Sequence, residues 1–537
     1  MHYQTHNEEF RYGSARFADY EDIHSAGLLD KNGLPLGHFD NDVLRLDSDG
    51  ARLTIAGAGG GKTTTLLSYI LCLPNTMPMM VLDPRGELAS ISIHTLALQS
   101  IYGYYWNPKR LHCLPFHSIN PLDDITLDSP HLHTDIQIVA QDLIPLSGGG
   151  NSQFFEMRAR DWAGAMMKSR VEQDGFVSLP SFYRMANKIE GDPRAWADEL
   201  EAMLNSRFED VQRTASEMLT KQQDTPKEFG SILGEIYAHI SFLHDPDLRA
   251  SLEGGDFSLS GLVGQSRTAR LHLMPPAEFI GLWSSVLRNM FSRVMTLKSR
   301  SPQARRVLLL VDEAGQLGKA DFLLKAFTFS RGAGLVVHAF FQDIGQIRRN
   351  LGADAVISFM GSAVVRQFFG IRDYQTAQLV SNMLGQETLI YDDEAAQARA
   401  RKEARARGEA VLYGADPFEN ANDYAHYEEE AQRRSKMRRP LMSADEIMNM
   451  REDQQIIFIS GQNLPPILAS KYPYFTRREM AGLYLPNPYH PPVDRVQVQG
   501  MLLAKWLPVH SIAVPHKYRL FPQYQGGTAL QIEGYQL

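Results

Sequence analysis

Residues 51–65 read ARLTIAGAGGGKTTT: a strand-like apolar run, five residues of nearly bare backbone, then Lys62 and three threonines. The spacing A-x-x-x-x-G-K-T from Ala56 to Thr63, followed by the helical run TTTLLSYILCL, is the strand–loop–helix context of a phosphate-binding loop. Gly57, Gly59, Gly60 and Gly61 let consecutive backbone N–H groups turn toward phosphate oxygens with no side chain in the way, and the following helix adds the positive end of its dipole. Ala58 and Thr64 belong to the same nucleotide-binding stretch. Lys62 is expected to bridge the β- and γ-phosphates, and Thr63 to offer its hydroxyl to Mg²⁺. The motif begins on Ala56 where glycine is commoner, which a negative φ at that residue permits.

Binding alone does not break a triphosphate. Residues 307–313, VLLLVDE, supply what is missing: buried aliphatics deliver Asp312 and Glu313 to the carboxyl end of a strand, where ligands sit in open α/β sheets. Asp312 is expected to hold the Mg²⁺ shell through water, and Glu313 to orient or deprotonate the attacking water. No Asn-Lys-x-Asp guanine-selecting motif occurs, so the base choice leans to ATP. The acidic pair lies further from Lys62 in sequence than the roughly 100–150 residues of one typical domain, so something is inserted between them.

The surrounding pattern says what. Strand-like runs RLTIAG, MMVLDP, ARLHLMP, VLLLVDE, LVVHAFFQ, AVVRQFFG and QIIFIS alternate with helical stretches, the mark of a mostly parallel sheet covered on both faces. Between residues 128 and 255 the pattern changes to helical spacing alone, as in PRAWADELEAMLNSRFEDVQRTASEMLTKQ, which predicts an all-α domain inserted into the nucleotide-binding domain. The reading is therefore an N-terminal leading segment at 1–50, the first part of the nucleotide-binding domain at 51–127, the helical insertion at 128–255, the second part at 256–480, and a tail at 481–537 that has no sequence reading. Within the second part, 386–440 is rich in charge and alanine and reads as solvated helix or flexible linker, with Arg399, Arg401, Arg405 and Arg407 as weak DNA-contact candidates.

Composition excludes several classes. With 54 basic against 62 acidic side chains in 537 residues, the surface as a whole is not that of a nucleic-acid coat protein, and any DNA contact is local. Two cysteines, Cys72 and Cys113, allow neither a disulfide framework nor a four-cysteine zinc site. His112, Cys113 and His117 lack the partner cluster of a metal site. No apolar run of eighteen residues predicts a membrane-spanning helix.

The chain resembles the type IV secretion coupling proteins, the TraG-like conjugative DNA-transfer ATPases, at several separated places. YGSARFADYEDIHSAGLLDKNGLPLG near the start is similar to that family's opening segment; VLDPRGE (81–87) to its second-strand motif; INPLDDI (119–125) and QFFEMRARDW to the lead into its helical domain. FSRGAGLVVHAFFQDIGQI resembles the family's arginine and glutamine segment, and RRPLMSADEIMNMREDQQIIFISGQNLPPILASKYPYF its closing region, so the likeness runs to about residue 480. The resemblance implies a RecA-like ATPase that assembles as a homo-hexamer with ATP sites between subunits. Such an assembly feeds single-stranded DNA with its relaxase, or protein effectors, to the components of a secretion channel. It also implies that Arg331 reaches a neighbour's nucleotide as an arginine finger, and that Gln342 senses the γ-phosphate and helps position water. Asp83 and Glu87 fall in the second-strand motif without an assigned role. Many members begin with two membrane-spanning helices. The absence of such a run here leads to the expectation of a soluble form, cytoplasmic and held at the inner membrane only through partners. The alternatives are an ATP-dependent platform that recruits protein effectors without moving DNA, and a nucleotide-gated adaptor with little turnover.

Overall fold

A computed structural model describes residues 10–147, 150–264, 267–480 and, beyond them, 483–485, 487–489, 495–499, 504–514, 516, 519 and 527–532. In chain order the strands are β1 (Leu34–Phe39), β2 (Asp42–Leu46), β3 (Arg52–Ala56), β4 (Met79–Leu82), β5 (Tyr102–Trp106), β6 (Ala269–Leu273), β7 (Val307–Val311) and β8 (Leu335–Phe341). They continue with β9 (Val365–Phe369), β10 (Gln386–Tyr391), β11 (Ser435–Pro440), β12 (Gln454–Ile459), β13 (Ile467–Ser470), β14 (Arg495–Gln499), β15 (Ala504–Ala513) and β16 (Thr528–Ile532).

Eleven of these form one sheet in the order β2-β1-β13-β12-β9-β3-β8-β7-β4-β6-β5. The run from β9 to β5 is parallel throughout, while β12 pairs antiparallel with β9, and β1 antiparallel with both β2 and β13. All seven apolar runs read from the sequence are strands of this sheet, and β3, β4, β6, β7 and β8 are buried along their whole length. Helices on both faces demand that continuous apolar character. Sequence reading missed the hairpin of β1 and β2, where Pro35 and Gly37 interrupt the pattern and the register shifts, and β5, whose first residue is exposed and next two half-buried at the sheet edge. Two buried arginines sit inside the sheet: Arg52 donates to Leu46 O (2.7 Å) and Arg270 to Leu71 O (2.7 Å). Burial pushes each guanidinium down to about 10.

Contacts divide the chain into two units. The larger takes residues 23–370, 452–464 and 468–537 and holds the P-loop strand and the helical insertion. Among the described residues no strand lies between Trp106 and Ala269; the interval carries helices Leu132–Leu143, Gly150–Asp174, Leu179–Gly191, Pro193–Leu204, Glu209–Asp224, Pro226–Ile240 and Pro246–Ser251. Their starts follow from sequence: Ser178 and Ser181 form a capping box, and Asp192 and Asp245 cap helices whose first residue is proline. Trp162, Met166, Phe182, Met203 and Ile236 are buried among these helices. The first of them is tied to helix Ser284–Arg300 by charge: Asp135, buried, pairs with Arg293 (3.3 Å) and accepts from Arg300 Nη1 (2.8 Å).

The smaller unit takes residues 1–22, 371–451 and 465–467. Here β10 and β11 form a two-stranded antiparallel sheet, and the leading segment adds to it, with Ser14 bridged to Glu387 and Ala15 N–H donating to Gln386 O (2.9 Å). The charged stretch is a pair of packed helices, Glu394–Leu412 and Pro417–Gln432, with most residues exposed and only Gln397, Ala400, Ala404, Asn420 and Ala431 buried. Alanine at helical spacing is what lets two highly charged helices approach closely.

Asp135→Ala leaves buried Arg293 with Asp124 as its remaining carboxylate partner and takes a partner from Arg300, and is expected to destabilise the larger unit by roughly 1–3 kcal/mol in urea unfolding. Burial pushes the Asp135 carboxyl up, but the Arg300 hydrogen bond and the Arg293 and Arg300 charges outweigh it and hold it below its ordinary value. Its contribution is therefore present above the unfolded carboxyl pKa of about 3.9 and is lost as pH falls through the lower folded value, a slope that Asp135→Asn should flatten.

Candidate functional site

The chain leaves β3 at Ala56 with a negative φ, so alanine is unstrained at the head of the loop. Gly57 N–H donates to Phe369 O (3.3 Å) and Gly60 N–H to Gly57 O (2.9 Å), closing a tight turn. Gly59 and Gly61 have φ of 75° and 86°, and a Cβ on Gly60 would lie 2.9 Å from Gly57 O, so backbone shape as well as ligand access selects glycine here. The first turn after Lys62 is a π-turn over Thr63–Leu67, which widens the helix start beside the loop. Thr63 and Thr64 both line the pocket, with the Thr64 hydroxyl donating back to Gly61 O (3.2 Å).

Two strands away, β7 ends and Asp312 and Glu313 follow. Lys62 Nζ lies 2.6 Å from Glu313 Oε1 and 3.3 Å from Asp312 Oδ1, so the ammonium sits between the two carboxylates. Gln342, at the end of β8, donates from Nε2 to the other Glu313 oxygen (3.1 Å). Glu313 itself has φ 55° and ψ 40°, left-handed backbone that is uncommon for a non-glycine residue. Burial raises the Asp312 carboxyl above its ordinary value, with Lys62 opposing and Glu313 adding to the shift. Burial presses on the Lys62 ammonium too, but its two carboxylates outweigh it and hold the ammonium above its ordinary value.

These groups open into a cavity of about 520 Å³ at the carboxyl end of the parallel strands. One wall is VLDPRGE: Asp83 accepts from Leu88 N–H (3.2 Å) and Ala89 N–H (2.7 Å), capping helix Glu87–Leu98, while burial pushes its carboxyl up to about 7. Glu87, raised by burial, accepts from Asn487 Nδ2, and Arg85 lies at the rim beside Tyr489. Behind the loop, Lys471 Nζ donates to Gly60 O (2.8 Å) and lies 4.3 Å above the Phe369 ring; burial pushes it down to about 8. Asn487, Tyr489 and Lys471 were invisible in sequence because nothing local marks them; their roles come from where the closing strands and the segment after them fold back.

Arg331 is not in this cavity. It lies near the end of helix Asp321–Ala333, with a side chain 75 % exposed and Nε 3.2 Å from Asp49 Oδ1. Asp49 precedes β3 and Arg331 precedes β8, so both sit at the amino ends of the strands, opposite the P-loop. Among the described residues no His, Cys, Asp and Glu group forms a metal cluster, and His112 and His117 are engaged with Arg85 O (2.7 Å) and Tyr105 N–H (3.0 Å). The Cys113 side chain lies outside the described residues.

A triphosphate with a divalent cation fits these groups. The glycine loop is a concave run of bare backbone ahead of a helix start, Thr63 and Asp312 are the hard oxygen donors that Mg²⁺ takes, and the cavity crowds Asp83, Glu87, Asp312 and Glu313 around Lys62 and Arg85, an excess of carboxylate that a cation relieves.

A profile of the family described as type IV secretory system conjugative DNA transfer matches residues 16–495. This chain belongs to that family. The conjugative-transfer relatives include a probable conjugal transfer protein TraG of Sinorhizobium fredii, 24 % identical over 80 % of this chain and 62 % of its own length. The type IV secretion system-coupling protein VirD4 of Bartonella henselae is 22 % identical over 81 % of this chain and 64 % of its own. The chain thus spans under two thirds of the length of these relatives. Among solved structures, plasmid coupling protein TrwB in complex with ADP and Mg²⁺ shares the fold, with a TM-score of 0.59 at 15 % identity, covering 85 % of this chain and 93 % of that one. TrwB with a non-hydrolysable ATP analogue gives the same TM-score over 86 % of this chain and 96 % of that one.

Gly61→Ala places a Cβ at φ 86° and within 3.3 Å of Thr64 and Thr65. It is expected to cost about 1–2 kcal/mol of stability by urea unfolding, where Gly230→Ala, on an open helix face, should be neutral or stabilising.

Proposed function

We propose that this protein is a Mg²⁺-dependent ATPase that couples conjugative cargo, single-stranded DNA with its relaxase, to a type IV secretion channel. The observation that carries the reading is the Lys62–Asp312–Glu313–Gln342 constellation facing a glycine loop across one cavity. Membership of the conjugative DNA transfer family and the likeness in fold to nucleotide-bound TrwB support it.

In this reading the amides of Gly57 to Thr64 and the Lys62 ammonium bind the phosphates, and Thr63 and Asp312 hold the cation. Mg²⁺, when bound, neutralises charge between the β- and γ-phosphates. Lys62 exchanges its carboxylate partners for phosphate oxygens, which frees Glu313 to accept a proton from, or orient, the attacking water. Gln342 keeps the Glu313 carboxylate aimed while that exchange happens. Arg331, far from its own subunit's cavity and exposed, serves a neighbour: its charge offsets that of the transferring phosphoryl group only when copies assemble, in a homo-hexamer by this reading. A ring multiplies a few basic loop residues sixfold, so an acidic chain still holds the DNA backbone. Among the described residues no helix is long and apolar enough to cross a membrane, and in this reading contact with the inner membrane runs through channel partners.

An ATPase assay over a range of protein concentrations, with and without single-stranded DNA, tests the proposal. Turnover should rise with both, Lys62→Ala should abolish it, and Arg331→Ala should keep nucleotide binding while losing at least tenfold of the concentration-dependent rate. Full turnover by Arg331→Ala in the oligomer would refute the finger, and DNA-independent turnover with tight protein-cargo binding would favour the effector platform.

A further inference from the structure

We propose that Arg85 is a second nucleotide-contacting cation of this site, binding the terminal phosphate of a nucleoside triphosphate, and that Tyr489 of the C-terminal segment is the positioning residue that holds it there. The inference rests on the ATP reading above and adds to it a dependence on the tail.

Of the cations lining the cavity, Lys62 is paired with both Asp312 and Glu313. Arg85 is not: among the described residues no carboxylate lies within ion-pair distance of its guanidinium, although Glu87 is two residues away. Glu87 is turned to Asn487 instead. The Arg85 backbone is fixed twice, its carbonyl accepting from the Tyr489 hydroxyl (3.2 Å) and contacted by His112 Nε2 (2.7 Å). Its guanidinium lies 5.8 Å from the centroid of the Tyr489 ring, and that ring makes a T-shaped contact with the His112 ring, centroids 5.2 Å apart. A guanidinium held over a ring keeps its N–H donors for an anion, and stacking pre-organises the fork so that little is lost when the anion arrives. The ligand this cavity is built for is anionic, and Arg85 shares the cavity with the loop that takes its phosphates.

Tyr489 is itself delivered by an anchored segment. Tyr474, Met480, Leu483 and Tyr484 pack with Tyr69, Cys72, Leu73 and Ile91, and Leu485 N–H donates to Ile91 O (2.9 Å), so the chain runs back along helix Glu87–Leu98 to the cavity rim. A few residues later it enters the sheet of β14, β15 and β16.

Titration calorimetry of the full chain with Mg²⁺ and either ADP or a non-hydrolysable imido analogue of ATP separates the outcomes. In the wild type the triphosphate should bind more tightly than ADP. Arg85→Ala should lower triphosphate affinity on the order of tenfold while ADP affinity moves less than twofold, Arg85→Lys should restore part of the difference, and Tyr489→Ala should reproduce part of the loss with Tyr489→Phe close to wild type. A merely structural role for Tyr489 would weaken both nucleotides equally and would overturn its assignment. An unchanged triphosphate-to-diphosphate ratio in Arg85→Ala, with wild-type binding intact, overturns the inference alone. Failure of the wild type to bind either nucleotide overturns the ATP reading itself.

Discussion

A lysine ammonium held between two carboxylates at the end of a buried sheet is the constraint around which this molecule is arranged. Lys62 follows β3 and Asp312 and Glu313 follow β7, with β8 between them, so their meeting requires three parallel strands in register and two loops leaving the same edge. In a largely buried site each of these charges alone would be costly, and together they are tolerable. The same arithmetic explains why a polyanion with a divalent cation suits the cavity: it replaces one set of charge partners with another and leaves none stranded.

Around that pairing the fold separates the cavity from Arg331. The P-loop, the acidic pair, Gln342 and VLDPRGE reach the cavity from the carboxyl ends of strands or from helix starts, where backbone N–H groups and short loops converge, and Asn487 and Tyr489 join them from the C-terminal segment. Arg331 and its partner Asp49 lie at the opposite ends of the same strands. An exposed arginine so placed is out of reach of its own chain's cavity, which is why the proposed function gives it to a neighbouring copy. The helical insertion, tied by Asp135 to Arg293 and Arg300, grows from the β5–β6 interval beside this machinery.

How much of this could be read in advance depended on whether the signal was local. Seven strands were legible because strands buried on both faces are continuous apolar runs, and the P-loop because its glycines, lysine and threonine are neighbours in sequence. The β1–β2 hairpin was not, since Pro35 and Gly37 break its pattern, nor was β5, whose outer end is exposed. The charged stretch gave helix or linker with equal ease, and only the close packing of two alanine-spaced helices decides for helix.

By itself, then, the amino-acid sequence determined the motif chemistry: which residues turn tightly, which side chains carry charge, and which runs must be buried. Tertiary structure alone decided partnership at a distance. That Gln342 would aim Glu313, that Lys471 would brace Gly60 from behind, and that Asn487 and Tyr489 would fold back onto Glu87 and Arg85 depends on chain reversals that span 29 residues for the first pair and 400 or more for the others. Local propensity and periodicity are set by neighbours a few positions apart, whereas these contacts are set by which surfaces the whole sheet and its covering helices leave to be covered.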